Sequence, residues 1–198
     1  MSESLLLEDL SPKRARTRAQ LLDAAYELFA QRGLHGATLA DVARRAGMTT
    51  GAIYGNFQNK EELFLAVFER FTFGVNAELR DGARFEGASF RNQMRIVGEA
   101  VIDFLRTAEA SGVLFFEFHI YAATHPEFRA ETDRRTIARY RAIAQHWRRH
   151  ISEADAKMPI ERFVAVIDAM IDGLICQWML TPSVVSDDVI MAAFLALA

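Results

Sequence analysis

With 198 residues, 51% of them hydrophobic and 25% charged, and a formal net charge of −3, the chain has enough apolar material to bury a core, which excludes a disordered or collagen-like polymer. Its four prolines leave little for the turns of an all-β fold, so helix is favoured. The single cysteine, Cys176, excludes an internal disulfide framework and suits a reducing, cytoplasmic compartment.

The short apolar run Leu5 to Leu7 is flanked by Glu3, Glu8 and Asp9, which is unlike a secretory leader. The most apolar stretch, Phe163 to Leu180, is broken by Asp168 and Asp172, so no membrane span is expected. Charge is unevenly placed. Residues 11–60 hold eight lysine or arginine residues against three acidic ones, a local +5 that leaves −8 for the remainder. Such asymmetry suggests that one part of the chain meets a polyanion.

In chain order, residues 1–12 read as a flexible N-terminal tail. From Arg16 onward Leu21, Ala25, Leu28 and Phe29 form the stripe of an amphipathic helix, which Gly33 and Gly36 end. Thr38 begins a second helix, with Asp41 three residues on as its capping-box partner and Leu39, Val42, Ala43 and Ala46 as its buried face. Gly47 can take the left-handed conformation that closes a helix and allows a sharp turn. Thr49 is the next N-cap candidate. The third helix is short: Ile53 and Phe57 anchor it, leaving Thr50, Gly51, Tyr54, Gly55 and Asn56 for an outer face with almost no charge. Small, hydrogen-bonding groups of this kind suit close approach to base edges and phosphates. Asn59 caps a fourth helix with Glu62 at the capping-box position, and Leu63, Phe64, Val67, Phe68 and Phe71 form its apolar face. Two short helices joined through a glycine turn form a helix-turn-helix, assigned to residues 13–58.

The run Gly36-Ala37-Thr38-Leu39-Ala40-Asp41-Val42-Ala43, then Gly47, then Gly51-Ala52-Ile53-Tyr54-Gly55-Asn56-Phe57, then Asn59-Lys60-Glu61-Glu62-Leu63 resembles the tetracycline-repressor (TetR) family. The resemblance covers roughly residues 14 to 65. It implies that Thr38 bonds a phosphate, that Thr49, Thr50 and Gly51 enter the major groove at the N-terminal end of the recognition helix, and that Tyr54 and Lys60 clamp phosphates. Asn56 stands where the family often has histidine, and Gly55 where it is commonly aromatic. The basic residues Lys13, Arg14, Arg16 and Arg18 precede or open the first helix, where relatives use such residues on phosphates or in the minor groove. Each phosphate neutralised steepens the salt dependence of binding by roughly 0.9 in the log–log slope.

Residues 59–198 read as a larger helical domain for ligand binding and dimerisation. A glycine- and charge-rich connector spans residues 80–89, and a helix resumes at Phe90 with Met94, Val97, Val101 and Phe104 or Leu105 inward. The run from Gly112 to Tyr121 is apolar almost all round and is expected to be surrounded by protein. Pro126 opens a long helix with early acidic and late basic residues. Pro159 opens another, whose Phe163, Val166, Ile167, Met170, Ile171, Leu174, Ile175 and Trp178 form a broad apolar surface. Thr181, Pro182 and Ser183 break it, and a last helix carries Val189, Ile190, Phe194 and Leu195. The resemblance implies that these last two helices form a four-helix bundle with a second copy, giving a homodimer that reads a palindromic operator in double-stranded DNA.

Phe104, Phe115, Phe118, His119, Tyr121, Trp147, Met170, Cys176, Gln177 and Trp178 supply an aromatic-rich set with polar handles, the character of a pocket for a small hydrophobic or aromatic effector and equally of an ordinary core. The fold class expected is all-α, an N-terminal three-helix helix-turn-helix domain joined to a larger helical ligand-binding and dimerisation domain. The function is that of a DNA-binding transcriptional regulator, a repressor released from its operator by an effector. An enzyme is disfavoured: the sequence has no glycine-rich phosphate loop, nucleophile elbow or zinc-spaced cluster, and no cofactor is implied. His146 and His150 are i, i+4 neighbours without an evident third metal ligand. The alternative is a helical protein-interaction module without DNA binding.

Overall fold

The computed structural model describes residues 11–72, 84–107 and 112–198, which form ten helices and no strand. They are α1 (Pro12–Gly36), α2 (Leu39–Arg45), α3 (Thr50–Tyr54), α4 (Lys60–Thr72), α5 (Phe90–Thr107), α6 (Gly112–Thr124), α7 (Pro126–Trp147), α8 (Glu153–Ala156), α9 (Ile160–Leu180) and α10 (Asp187–Leu195). The fold is all-α, with the helix-turn-helix at its N-terminal end. Most of the expected tail, the first four residues of the expected connector and the side chain of Phe71 lie outside the described residues.

Two compact units arise from the contacts. The first comprises residues 1–73 and 110–134, the second residues 74–109 and 135–198, the boundary falling within α7. In the first unit α1 packs on α2, α4 and α6, and α4 packs on α6. Leu21, Ala25 and Phe29 of α1, Val42 of α2, Ile53 of α3, and Leu63, Phe64 and Val67 of α4 are almost wholly buried in one cluster. Burying each large apolar side chain of this kind contributes about 1.5–3 kcal/mol. The first helix starts at Pro12, four residues before Arg16, because proline's fixed φ and missing N–H suit the first helical position.

α6 departs from expectation. Leu114, Phe115 and Phe118 are buried, but Val113 and Ile120 are 62% and 64% exposed, and His119, expected inside, is exposed too. A run of apolar residues longer than one face allows some of them to remain outside wherever helix neighbours cover only one side. α4 and α6 share an aromatic cluster in which the rings of Phe68 and Phe118 stack at 3.5 Å and Phe64 meets Phe29 edge-on at 5.6 Å.

In the second unit Met94, Val97, Val101 and Leu105 form the inner face of α5, which packs on α10. Gly98 lets the two helices approach closely, since a Cβ there would lie 3.2 Å from Phe194 and 3.3 Å from Met191. Gln93, 2% exposed, donates from Nε2 to the carbonyls of Ala88 and His150 and so ties the start of α5 to the turn after α7. α7 ends at Trp147, leaving Arg148, Arg149 and His150 in that turn. Trp147 is buried against Phe163 of α9, with ring centroids 6.1 Å apart. The four-residue α8 is capped by Ser152 and closed by Lys157 in the left-handed conformation.

By length and composition α9 could cross a membrane. Asp168 in its middle instead accepts from Arg139 Nη2 at 2.8 Å and from the Tyr140 hydroxyl at 2.6 Å, a charge partnership made inside the unit. Burial, reinforced by that hydrogen bond to Asp168, pushes the Tyr140 phenol up beyond the ordinary tyrosine range.

Candidate nucleic-acid interface

Local hydrogen bonds build the helix-turn-helix almost completely. The Thr38 hydroxyl accepts from the Asp41 N–H at 3.1 Å, and the Asp41 carboxylate accepts from the Thr38 N–H at 3.0 Å, the reciprocal capping box read from the sequence. That hydroxyl also donates to Asp41 Oδ2 at 2.6 Å. These bonds from Thr38, with help from Arg44 and Arg32, hold the Asp41 carboxyl below the usual carboxylate range.

α2 closes in a Schellman turn: Gly47 takes φ +67°, its N–H donates to Arg44 and the Met48 N–H donates to the Ala43 carbonyl at 2.8 Å. The turn delivers the chain to α3 with Thr49, Thr50, Gly51, Tyr54 and Gly55 outside and Ile53 and Phe57 fully buried. Tyr54 is 61% exposed, although it is a large aromatic residue. Thr49 occupies the N-cap position, yet its side chain makes no capping bond, contrary to expectation. The first N–H groups of α3 therefore have no side-chain oxygen of Thr49 over them.

Asn56, expected on the outer face, is turned back. Its Nδ2 donates to the Ala52 carbonyl at 2.8 Å and its Oδ1 is buried. The basic residues of α1 are likewise not a loose arm. Arg14 Nη2 donates to the Gly55 carbonyl and Arg18 Nη1 to the Asn56 carbonyl, both at 2.9 Å. Cations at these positions satisfy the last carbonyls of α3 and complement its dipole. Arg16 and Lys13 are exposed. Arg44 pairs with Asp41, and Arg45 with Glu27.

Lys60, the first residue of α4, is half-buried. Burial pushes its ammonium down from the usual lysine range, and the negative charge of Glu117 opposes that shift. The Asn59 cap is present, with the Glu62 N–H donating to Oδ1 at 2.8 Å. The Glu62 carboxylate accepts from the Gln58 N–H, one residue earlier than a capping box requires.

The aromatic residues named from sequence fall in different units. Phe115, Phe118, His119 and Tyr121 belong to the first, where Phe118 is 3% exposed and packed against α4. The His119 ring lies 4.3 Å from that of Phe115, and its Nδ1 is 2.8 Å from the Phe115 carbonyl oxygen. The Tyr121 hydroxyl donates to Glu61 Oε1 at 2.5 Å. Burial, followed by that bond, pushes the phenol up to about 12. Phe104, Trp147, Met170, Cys176, Gln177 and Trp178 belong to the second unit, where Trp147 is buried, Phe104, Met170, Cys176 and Trp178 are half-buried and Gln177 is exposed.

Sequence reasoning missed Glu117, which accepts the Leu34 N–H at both carboxylate oxygens, 3.1 and 2.9 Å. No local spacing links these residues. For Arg14 and Arg18 the signal was present: their i, i+4 spacing puts them on one face of α1.

Residues 21–67 match the family described as bacterial regulatory proteins, tetR family. Over 175 residues the chain is 30% identical to the HTH-type transcriptional regulator TtgR of Pseudomonas putida, covering 84% of this chain and 81% of that one. It is 32% identical over 104 residues to the HTH-type transcriptional repressor BepR of Brucella suis, covering 51% of this chain and 48% of that one. Its fold is similar to that of the transcriptional regulator FadR from Bacillus subtilis, solved in complex with stearoyl-CoA, at a TM-score of 0.66 and 18% identity over 91% of this chain and 98% of that one. The exposed, uncharged α3 on its glycine turn and the extent of these likenesses agree, and the chain belongs to the TetR family of bacterial DNA-binding transcriptional regulators.

Proposed function

We propose that this regulator is a repressor whose α3 enters the major groove of a palindromic operator, two copies of the chain reading two half-sites. The observation that carries it is the outer face of α3, where Thr49, Thr50, Gly51 and Tyr54 stand exposed above the buried anchors Ile53 and Phe57. In this reading Thr50 and Gly51 approach base edges, while Thr49, Tyr54, Lys60, Thr38 and Arg16 serve phosphates. Arg14 and Asn56 act by holding the C-terminal end of α3, as their bonds to Gly55 and Ala52 indicate.

One short helix reads too few base pairs to be selective, so a second copy is required, with recognition helices about 34 Å apart or at a related spacing. The support is apolar exposure near the C-terminus: Val166 and Leu180 of α9, Val184, and Val189 of α10 are 40–66% exposed. Apolar exposure of this kind on the last two helices suits a four-helix bundle with a second copy.

A small hydrophobic or aromatic effector releases the DNA. FadR's complex with stearoyl-CoA gives the class of ligand to test first, with Phe115, Phe118, His119 and Tyr121 of the first unit and, separately, Phe104, Trp147, Met170, Cys176 and Trp178 of the second as two alternative candidate linings. A coupling of about 1–3 kcal/mol between effector and DNA is sufficient for a regulatory response.

The experiment is a gel shift of the full chain on its own upstream DNA across salt concentrations, with and without stearoyl-CoA. A sequence-preferring, salt-sensitive complex that acyl-CoA weakens is the expected result. Absence of such a complex sinks the operator reading, and a reporter that rises with the protein present replaces repression by activation.

A further inference from the structure

α1 is interrupted before its end. Gly33 takes φ +71° and ψ 170°, conformations outside the helical region, and the following N–H, that of Leu34, points to Glu117 of α6 and donates to both of its carboxylate oxygens. The approach is close: a Cβ on Gly33 would collide with Glu117 Oε1. Leu34 is 3% exposed and Ala37 fully buried, so this segment is a fixed entry into α2. The segment entering the reading head therefore addresses one side chain on a helix 83 residues away from Leu34 in sequence.

We propose that Glu117 is a positioning residue for operator recognition: its carboxylate fixes the end of α1 and thereby sets the attitude of the α2–α3 reading head that follows. The inference rests on the proposed reading of α3. Glu117 touches no DNA in this account. Its contribution is pre-organisation, which a specific complex needs and a loose, phosphate-only complex does not. Glycine at position 33 serves the same contact, since any other residue both strains the backbone at this φ and displaces the carboxylate.

The test measures binding of the full-length protein to its upstream operator and to unrelated DNA, for wild type, Glu117→Ala, Glu117→Gln and Gly33→Ala. Loss of a charge-assisted hydrogen bond that holds the head predicts about tenfold weaker operator binding by Glu117→Ala, with binding to unrelated DNA and its salt slope unchanged. Glu117→Gln keeps an oxygen for the Leu34 N–H and restores most of the affinity. Gly33→Ala weakens operator binding in the wild-type background and has a smaller effect in Glu117→Ala, where the clash with the carboxylate is gone and only the backbone strain at this φ remains. Operator binding by Glu117→Ala equal to or tighter than wild type overturns the proposal, as does a parallel fall on operator and unrelated DNA. Should Glu117→Ala fail to fold, hydrogen exchange in the wild-type protein decides: a protected Leu34 amide supports the contact, and one exchanging like an exposed amide overturns it. A wild-type protein that binds no DNA fails the reading of α3, while the Leu34 exchange rate still judges the Glu117 bond separately.

Discussion

Arg18 lies across the ring of Phe57, its guanidinium carbon 4.2 Å from the ring centroid, while the same side chain donates to the Asn56 carbonyl at 2.9 Å. One turn earlier Arg14 donates to the Gly55 carbonyl. A five-residue helix is too short to persist by propensity alone, so its C-terminal end needs support from outside. α1 supplies it, and two arginines that resemble a DNA-binding arm serve first as a brace for α3.

Arg18→Ala removes both the cation–π contact and a charge-assisted hydrogen bond, and is expected to cost about 1–2 kcal/mol of stability. Arg18→Lys recovers only part, because a compact ammonium does not match the planar stacking of a guanidinium. Urea unfolding of the three proteins checks this; equal midpoints for wild type and Arg18→Ala would remove the brace.

On the outer face, Tyr54→Ala is expected to weaken binding to all sequences alike. Thr50→Ala should instead relax preference at one base position, by about 1–3 kcal/mol of discrimination. Competition binding against a set of single-base operator variants separates the two. Identical, negligible effects of both substitutions would argue that α3 does not enter the groove.

The Thr38–Asp41 capping box makes a pH-dependent contribution. Asp41 is held below its ordinary value of 3.8, so its stabilisation is present above that pH and is lost as pH falls through the lower folded-state value. Thr38→Ala is expected to cost about 1 kcal/mol at neutral pH, the usual loss for an N-cap, and the difference from wild type should shrink on acidification below pH 3.8. Thermal unfolding of both proteins as a function of pH tests the sign; a difference that grows in acid contradicts it.

Tyr121 shifts the opposite way. With its phenol pushed up to about 12 against an ordinary 10.0, its contribution is complete below pH 10 and is lost as pH rises towards 12. Tyr121→Phe should therefore lose less stability than wild type across that alkaline window. Ultraviolet titration should show two late-ionising tyrosines in wild type, Tyr121 and Tyr140, and one in Tyr121→Phe; retention of both would assign the shift elsewhere.

Asp168→Ala removes the carboxylate that faces Arg139, whose side chain is 11% exposed, and is expected to destabilise by roughly 2–4 kcal/mol. Asp168→Asn retains an acceptor for Tyr140 and should lose less. Calorimetric melting of the two variants distinguishes a structural ion pair from an idle one: unchanged melting in both excludes it.

What the sequence by itself determined is local. The caps at Thr38 and Asn59 and the left-handed Gly47 involve partners within about five residues, so chain geometry alone brings them together, and the i, i+4 spacing of Ile53 and Phe57 puts both on one helix face. Apolar periodicity located α1, α4, α5, α9 and α10 for the same reason, since one face of a helix repeats every three to four residues, and Pro126 with its charge order located α7. Tertiary structure decided which polar groups meet across long separations: Arg14 and Arg18 with the end of α3, Glu117 with Leu34, Asp168 with Arg139 and Tyr140. It also turned Asn56 inward, left Val113 and Ile120 outside and divided the aromatic residues between two units. Spacing along a chain carries no record of such pairings, because they depend on how packed helices are rotated and offset, which the summed burial of all their faces sets at once.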